Sequence, residues 1–494
     1  MIRRSAYARL LSVLPLVALA LAACARNPVT GKRELALVSK DQEIALGKES
    51  AEQVKAQMGV YPDEKVQAYV REIGMRMAKA SERPDLPWQF NVLDDATVNA
   101  FALPGGPVFI TRGILTHFNS EAELASVLGH EIGHITARHS VEQLSKQQLA
   151  QLGLGVGMIV SPELAQLGQA ASAGLQLLFL KYGRDAERQA DQLGFKYMGA
   201  QGYDVREMAK VFVTLQRSSE QQGAGRIPEW QSTHPDPGNR AETARERAAK
   251  ATIPPGAKVE HDRYLSMIGG MVFGDDPRQG FFKGDTFVHP GMKFQMKFPQ
   301  GWKAQNTPSA VVAVSPKQDA LVQLAGAGKL SPEEATKKFF QQEGVKPLQA
   351  PQAGTIGGQP ASASYFQAQT EQGVLNGIVS FISHGGVTFQ ILGYSPAQAF
   401  SANDAAFKQA ISSFGPLTDK AAEGVQPARI ELVRVPRDMT ISEFNAQFPS
   451  TVPVDVVAIV NGVAKDGQLK GGQTAKRITG GVPANLLQQQ APRS

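Results

Sequence analysis

The sequence His130-Glu131-Ile132-Gly133-His134 is an H-E-x-x-H motif in a chain of 494 residues with only eight histidines. On a helix, His130 and His134 stand one turn apart and project from the same side. Two neutral ring nitrogens at that separation suit a tetrahedral zinc ion, and Glu131 lies beside them to handle a proton. The chemistry such a set supports is hydrolysis, with one zinc per chain, a third protein ligand supplied from elsewhere and the fourth position left for water. The alternative is a surface helix with two solvated histidines and a glutamate, which a third ligand would exclude.

The flanking residues predict the helix that this geometry needs. Ser120–His139 reads SEAELASVLGHEIGHITARH. Ser120 and Glu123 make an S-x-x-E capping box, and Leu124, Leu128, Ile132 and Ile135 recur at helical spacing as a buried face. The third ligand is expected on Tyr182–Met198, YGRDAERQADQLGFKYM, where Glu187 and Asp191 share a helical face. Glu187 lies 53 residues beyond His134, enough for a second helix to return to the site. Asp191, one turn on, is placed to accept the outer N–H of a ligand histidine and fix its tautomer. Competing ligands fail: five residues of helix carry His139 about 140° away from His134. A metzincin pattern would need Gly and His where Ala137 and Ser140 stand. Further on, His234 in Thr233-His234-Pro235-Asp236-Pro237 can stabilise an oxyanion, cap the open metal position, or serve as a structural hydrogen-bonder. Arg240 beside it can pin that loop through a salt bridge. Before it, Ser218–Gly225 reads as a mobile loop.

Ahead of the motif, Asn99–Thr111 reads NAFALPGGPVFIT, two extended pieces around Pro104-Gly105-Gly106. Pro107 has no N–H for a ladder, which assigns the region to a sheet edge. An extended peptide pairing with that edge would meet Asn99, Ala100, Phe101, Gly105 and Gly106; a merely capped sheet edge fits the spacing equally well. Helices are expected at Ser39–Met58 and Asp63–Ser81 and a strand at Trp88–Leu93. Leu149–Val160 and Leu164–Leu180, interrupted by Pro162, are expected to be packed helices, with a membrane-contacting or lid hairpin as the alternative.

Composition is that of an ordinary globular protein, 42% hydrophobic and 19% charged, and the length predicts about three domains. The formal charge of +6 includes Arg3, Arg4 and Arg9 of a leader expected to be removed. No Lys/Arg-rich run or phosphate-cradling loop argues for nucleic acid. The leader has a basic start, an apolar core Leu10–Ala20 too short for a confident span, and Leu21-Ala22-Ala23-Cys24. The last four resemble a bacterial lipobox, which makes Cys24 the lipidated first residue of the mature chain; the alternative is a soluble secreted protein cleaved after Ala23. Cys24 is the only cysteine, so no disulfide can form in the oxidising compartment that export implies. By resemblance to Gram-negative lipoproteins, Ala25 in the next position implies the outer membrane, with the domains on its periplasmic face.

NPVTG after the lipobox, NAFALPGG, H-E-I-G-H, E-x-x-A-D and THP…R together resemble zinc metallopeptidase family 48, which includes the prenyl-protein endopeptidase and periplasmic outer-membrane quality-control peptidases. The resemblance covers about Asn27–Ala248. It implies a gluzincin fold with zinc on His130, His134 and Glu187, Glu131 as base and Asp191 in support. In periplasmic relatives the histidine matching His234 lies near the metal and can restrain activity. Those relatives often carry helical repeats, and no 34-residue repeat occurs here.

The expected architecture is α+β and multidomain. Signal segment 1–23 and a lipidated tether 24–38 precede a mainly helical peptidase domain 39–265 with a small edge sheet. A linker 266–284 leads to an α/β module 285–418 that resembles PsbP in layout and in its FP-x-GW turn; His289 and His384 are read there as structural. After linker 419–426, a β-α-α-β unit 427–480 resembles a LysM module, whose usual ligand implies peptidoglycan contact, a small packing domain being the alternative. Residues 481–494 are read as a disordered tail. The function expected is zinc-dependent cleavage of misfolded or misassembled envelope proteins, with protein or peptide substrates as partners. The alternative is an assembly or chaperone-like factor whose peptidase is latent.

Overall fold

The computed structural model describes residues 24–154, 182–222, 230–234, 237–307, 309–370 and 373–483. The leader, most of the expected helices Leu149–Val160 and Leu164–Leu180, and the end of the tail lie outside the described residues. Among those described, no helix is long and apolar enough to cross a membrane. The chain divides into two compact units, one holding the chain to Gly274 together with Ile430–Thr479, the other Asp275–Arg429 with the chain from Gly480.

In the first unit, helix Lys40–Met58 starts in a reciprocal capping box between Ser39 and Gln42. Helix Glu64–Lys79 is capped by Asp63 and buries Val66, Val70, Ile73 and Met77. A three-stranded sheet follows. Its centre is Pro107–Thr111, parallel to Gln89–Leu93 and antiparallel to Ala100–Ala102. Pro107 therefore opens the central strand, contrary to the edge assignment. The ladder around it does not need the missing N–H: Gln89 N donates to Gly106 O and Leu103 N to Pro107 O. Within Asn99–Thr111 the edge strand is Ala100–Ala102, and Gln89–Leu93 forms the opposite edge of the sheet.

The motif helix, Glu121–Thr136, is buried along its whole length. Ser120 Oγ accepts from Glu123 N as expected, but the capping box is not reciprocal: Glu123 Oε2 takes the N–H of Asn119 at 2.6 Å. At the other end, Asn27 Nδ2 donates to Ala137 O and Arg83 Nη1 to Ile135 O, both at 2.9 Å, so the last carbonyls are paired. Asn27 follows the hairpin strand Cys24–Arg26, which pairs with Arg33–Leu35, and Arg138 donates to Val38 O. The segment expected as a tether is thus bonded to the domain. The expected loop from Ser218 is also shorter, because helix Glu207–Gln222 runs through it.

The β-α-α-β segment packs within this same unit. Its helices Ile441–Gln447 and Val454–Val460 lie between paired strands Arg429–Arg434 and Thr474–Thr479. Lys476 is fully buried, and its ammonium donates to Thr116 O (3.0 Å) and Phe118 O (2.6 Å), immediately before the motif helix. Asn461 brackets the Lys476 backbone with two bonds of 2.8 Å, and Arg217 donates to Val463 O. Burial pushes the Lys476 amine down to about 7, with Glu123 pulling the other way.

The second unit is the α/β module. An eight-stranded antiparallel sheet is built around the long hairpins of Gln359–Thr370, Gly373–His384 and Val387–Pro396, and a four-stranded sheet includes Thr286–His289 and Phe294–Lys297. Helix Pro332–Phe339, capped reciprocally by Ser331 and Glu334, and helix Phe400–Ser412 cover the sheets. Its core is rich in phenylalanine: Phe287, Phe294, Phe389, Phe407 and Phe414. His384 Nε2 donates to Met292 O and His289 Nδ1 accepts from Met292 N, in keeping with structural roles.

Candidate metal centre

Two helices cross to build the site, and small residues set how closely they approach. A Cβ on Gly133 would stand 3.1 Å from the Ala190 backbone, and one on Gly194 would stand 2.9 Å from His130 N. Gly133, inside the H-E-x-x-H motif, and Gly194 thus let helix Arg184–Ala200 lie against the motif helix, which carries Glu187 to the two histidines. His234 reaches the same point from the end of the short helix Trp230–Thr233.

The donor atoms of His130, His134, Glu187 and His234 all lie within 4.8 Å of one another, and all four residues are buried. His130 Nε2 is 3.0 Å from His134 Nε2 and 3.3 Å from His234 Nδ1. Glu187 oxygens stand 3.0 Å from His234 Nδ1, 3.4 Å from His134 Nε2 and 3.6 Å from His130 Nε2. Four donors bound to zinc at about 2.0–2.1 Å would stand about 3.3–3.4 Å apart at the corners of a tetrahedron. The five spacings above, 3.0–3.6 Å with the nearer Glu187 oxygen taken in each case, fall around that length. His130 Nδ1 lies 2.9 Å from Asp191 Oδ1, so its proton is there and its Nε2 carries a lone pair. The four donors are arranged so that they could hold a metal ion.

Surrounding charges agree. Arg240 donates to both Asp191 oxygens at 2.7 and 2.9 Å, its Nη1 stands 3.0 Å from Glu187, and its guanidinium lies over the Phe212 ring. Burial raises the Asp191 and Glu187 carboxyls, but Arg240 and His130 together for the first, and His234, His134 and His130 together for the second, outweigh it, leaving both below the usual carboxylate range. Burial pushes the His130 imidazole down to about 4 and His134 well below its ordinary value, which favours neutral rings with free lone pairs.

Glu131 is set apart. It is 0% exposed, and neither carboxylate oxygen has a hydrogen-bond partner. Its nearest charged neighbour is His234 Nε2 at 3.7 Å. Burial pushes its carboxyl up to about 7, against the pull of His234. A buried carboxyl without a partner costs free energy unless something else uses it, and a proton acceptor for water beside the donor cluster is such a use.

The structure brings together His130, Glu131, His134, Glu187, Asp191, His234 and Arg240. Ala100 and Phe101 lie on the sheet edge next to the motif helix. Asn99 sits at its start, its amide oxygen accepting from Ala100 N. Gly105 and Gly106 go elsewhere: their Cβ positions would strike Ile44 and Glu43 in one case and Pro87 in the other, so packing accounts for both glycines. Three neighbours carried no motif: Trp230, whose ring stacks on His234 at 4.1 Å; Tyr182, stacked on His134 at 4.1 Å; and His139, whose Nδ1 is 2.9 Å from His134 Nδ1.

Comparison with known proteins bears on the same residues. Residues 64–248 match the model of peptidase family M48. The beta-barrel assembly-enhancing protease of Yersinia pestis is 29% identical over 258 residues, covering 50% of this chain and 53% of that protein. The mitochondrial metalloendopeptidase OMA1 of Arabidopsis thaliana is 33% identical over 177 residues, covering 36% of this chain and 35% of that protein. The chain thus spans about half or less of the length of these relatives. The solution structure of cyanobacterial PsbP from Synechocystis covers 28% of this chain and 94% of its own at 12% identity, with a TM-score of 0.23.

Proposed function

We propose that the chain, whose residues 64–248 match the model of peptidase family M48, is a zinc-dependent endopeptidase acting on misfolded or misassembled envelope proteins. The observation that carries the reading is the buried set of four donor residues beside the unpartnered carboxylate of Glu131. A zinc ion held by His130, His134 and Glu187 supplies Lewis acidity, polarising a carbonyl and acidifying water. Glu131 takes a proton onto its free carboxylate oxygen and later delivers it to the leaving amine. Asp191 holds the His130 tautomer, and Arg240 keeps Asp191 ionised. The substrate backbone pairs in extended form with Ala100–Ala102.

The substrate class rests on the name of the Yersinia pestis relative, and the location on the leader and Cys24, read as a lipid anchor to the periplasmic face of the outer membrane. Contact with peptidoglycan through Ile430–Thr479 belongs to the same proposal and rests on its β-α-α-β order alone. The test is cleavage of an unfolded outer-membrane β-barrel protein by the full chain expressed with its leader. Cleavage that stops with a zinc chelator, and that leaves the membrane fraction when Cys24 is replaced by Ser, is expected. Binding of that substrate without any cleavage would favour the assembly-factor alternative.

His234 Nδ1 lies 3.3 Å from His130 Nε2 and 3.0 Å from Glu187, where it would take the place a metal-bound water needs, and we assign it a capping role. An open state populated at about 0.1–10% means that His234→Ala should raise turnover by about tenfold or more, measured on a fluorogenic peptide. Lower turnover would instead assign His234 to the oxyanion.

A further inference from the structure

Five residues of unbroken helix would turn His139 away from His134, but the motif helix ends at Thr136. Ala137 is its C-cap, and Arg138 stands in the left-handed region at φ 59°. The chain doubles back there. His139, the first residue of helix His139–Leu154, returns to His134 with the two Nδ1 atoms 2.9 Å apart. On its far side, His139 Nε2 lies 2.9 Å from Oε1 of Gln189, which sits on the ligand helix between Glu187 and Asp191.

The direction of each bond follows from the amide end. An amide oxygen only accepts, so His139 Nε2 donates. A neutral imidazole has one N–H, so His139 Nδ1 accepts, and the proton in the next bond belongs to His134 Nδ1. His134 Nε2 is left with its lone pair, and this is the atom 3.0 Å from His130 Nε2 and 3.4 Å from Glu187 Oε1. Tyr182 closes one face of the His134 ring and is itself tied to Ser140 Oγ at 2.8 Å.

We propose that His139 is a positioning residue for the metal centre: with Gln189 it forms a two-bond relay that fixes His134 in the tautomer whose Nε2 faces the other donors. Asp191 does this for His130 with a carboxylate, and the relay does it for His134 with an imidazole and an amide. The inference rests on the zinc reading above, so its test reads metal affinity as well as activity. Zinc dissociation constants come from competition with a chelating dye on the full chain.

His139→Leu is expected to weaken zinc binding about 10–100-fold, the usual effect of losing a hydrogen-bond partner behind a metal ligand. His139→Asn should restore most of it, because the Asn side-chain oxygen is attached as Nδ1 is in histidine and accepts the same proton. Gln189→Leu should weaken binding in the wild-type chain but add little to His139→Asn, whose acceptor no longer depends on Gln189. Equal affinity in His139→Leu and wild type would overturn the relay. So would equal weakness of His139→Leu and His139→Asn, or a Gln189→Leu effect of the same size in both backgrounds, since these are what packing alone would give. A wild-type chain that binds no zinc would overturn the metal centre, and the relay with it.

Discussion

Glu131→Gln is expected to lower cleavage of an unfolded protein by about 10²–10⁴-fold, the usual contribution of a positioned general base, while the zinc content per chain stays unchanged. The substitution keeps the shape of a side chain that is 0% exposed. It changes one property, the capacity to take a proton. No hydrogen bond is broken, because neither oxygen of Glu131 has a partner, so a large fall in activity cannot be charged to a lost structural contact. None of the metal donors is altered, and Asp191 still holds His130 through Nδ1. Turnover and elemental analysis on the same preparation check both halves. Residual activity above about 1% would remove Glu131 as the base; loss of zinc would show that its charge also holds the centre together.

The parts of the site that could be read from the sequence are those carried by local spacing. Ser120 and Glu123 mark the start of the motif helix, His130 and His134 share its face, and Glu187 and Asp191 share the face of another. What escaped depends on backbone geometry or on contacts distant in sequence. His139 is one case: no glycine or proline marks the end of the motif helix, and the left-handed turn falls on Arg138. Pro107 is another, since a residue without an N–H is tolerated in a central strand only where the ladder happens not to call on it. Lys476 lies in Ala-Lys-Arg-Ile, which reads as a solvated strand face. Its burial against the carbonyls of Thr116 and Phe118 is set by residues about 360 positions away. Likewise, the C-terminal segment can be recognised as β-α-α-β from its own sequence, but its packing within the peptidase unit depends on these contacts and on Arg217.

Glu187→Ala should abolish stoichiometric zinc and, unlike Glu131→Gln, also lower stability. Glu187 contacts four of the groups around it: His130, His134 and His234 as fellow donors, and Arg240 through the guanidinium Nη1. Removing it leaves two protein donors from the helices plus His234, and leaves Arg240, itself buried, with Asp191 as its remaining carboxylate. Breaking one side of a buried charge pair costs about 3–5 kcal/mol. The loss of a ligand that binds only the folded state adds to this as zinc concentration rises above its dissociation constant. Two measurements separate these terms. Wild type should melt at a lower temperature when a chelator is added, whereas Glu187→Ala should melt lower still and be indifferent to chelator. Asp191→Ala distinguishes ligand from support: it keeps all four donors, so it should weaken zinc binding by about 10–100-fold rather than abolish it. If Glu187→Ala retained full zinc, the third ligand would have to be His234, and the cap assigned to that residue would become part of the resting centre.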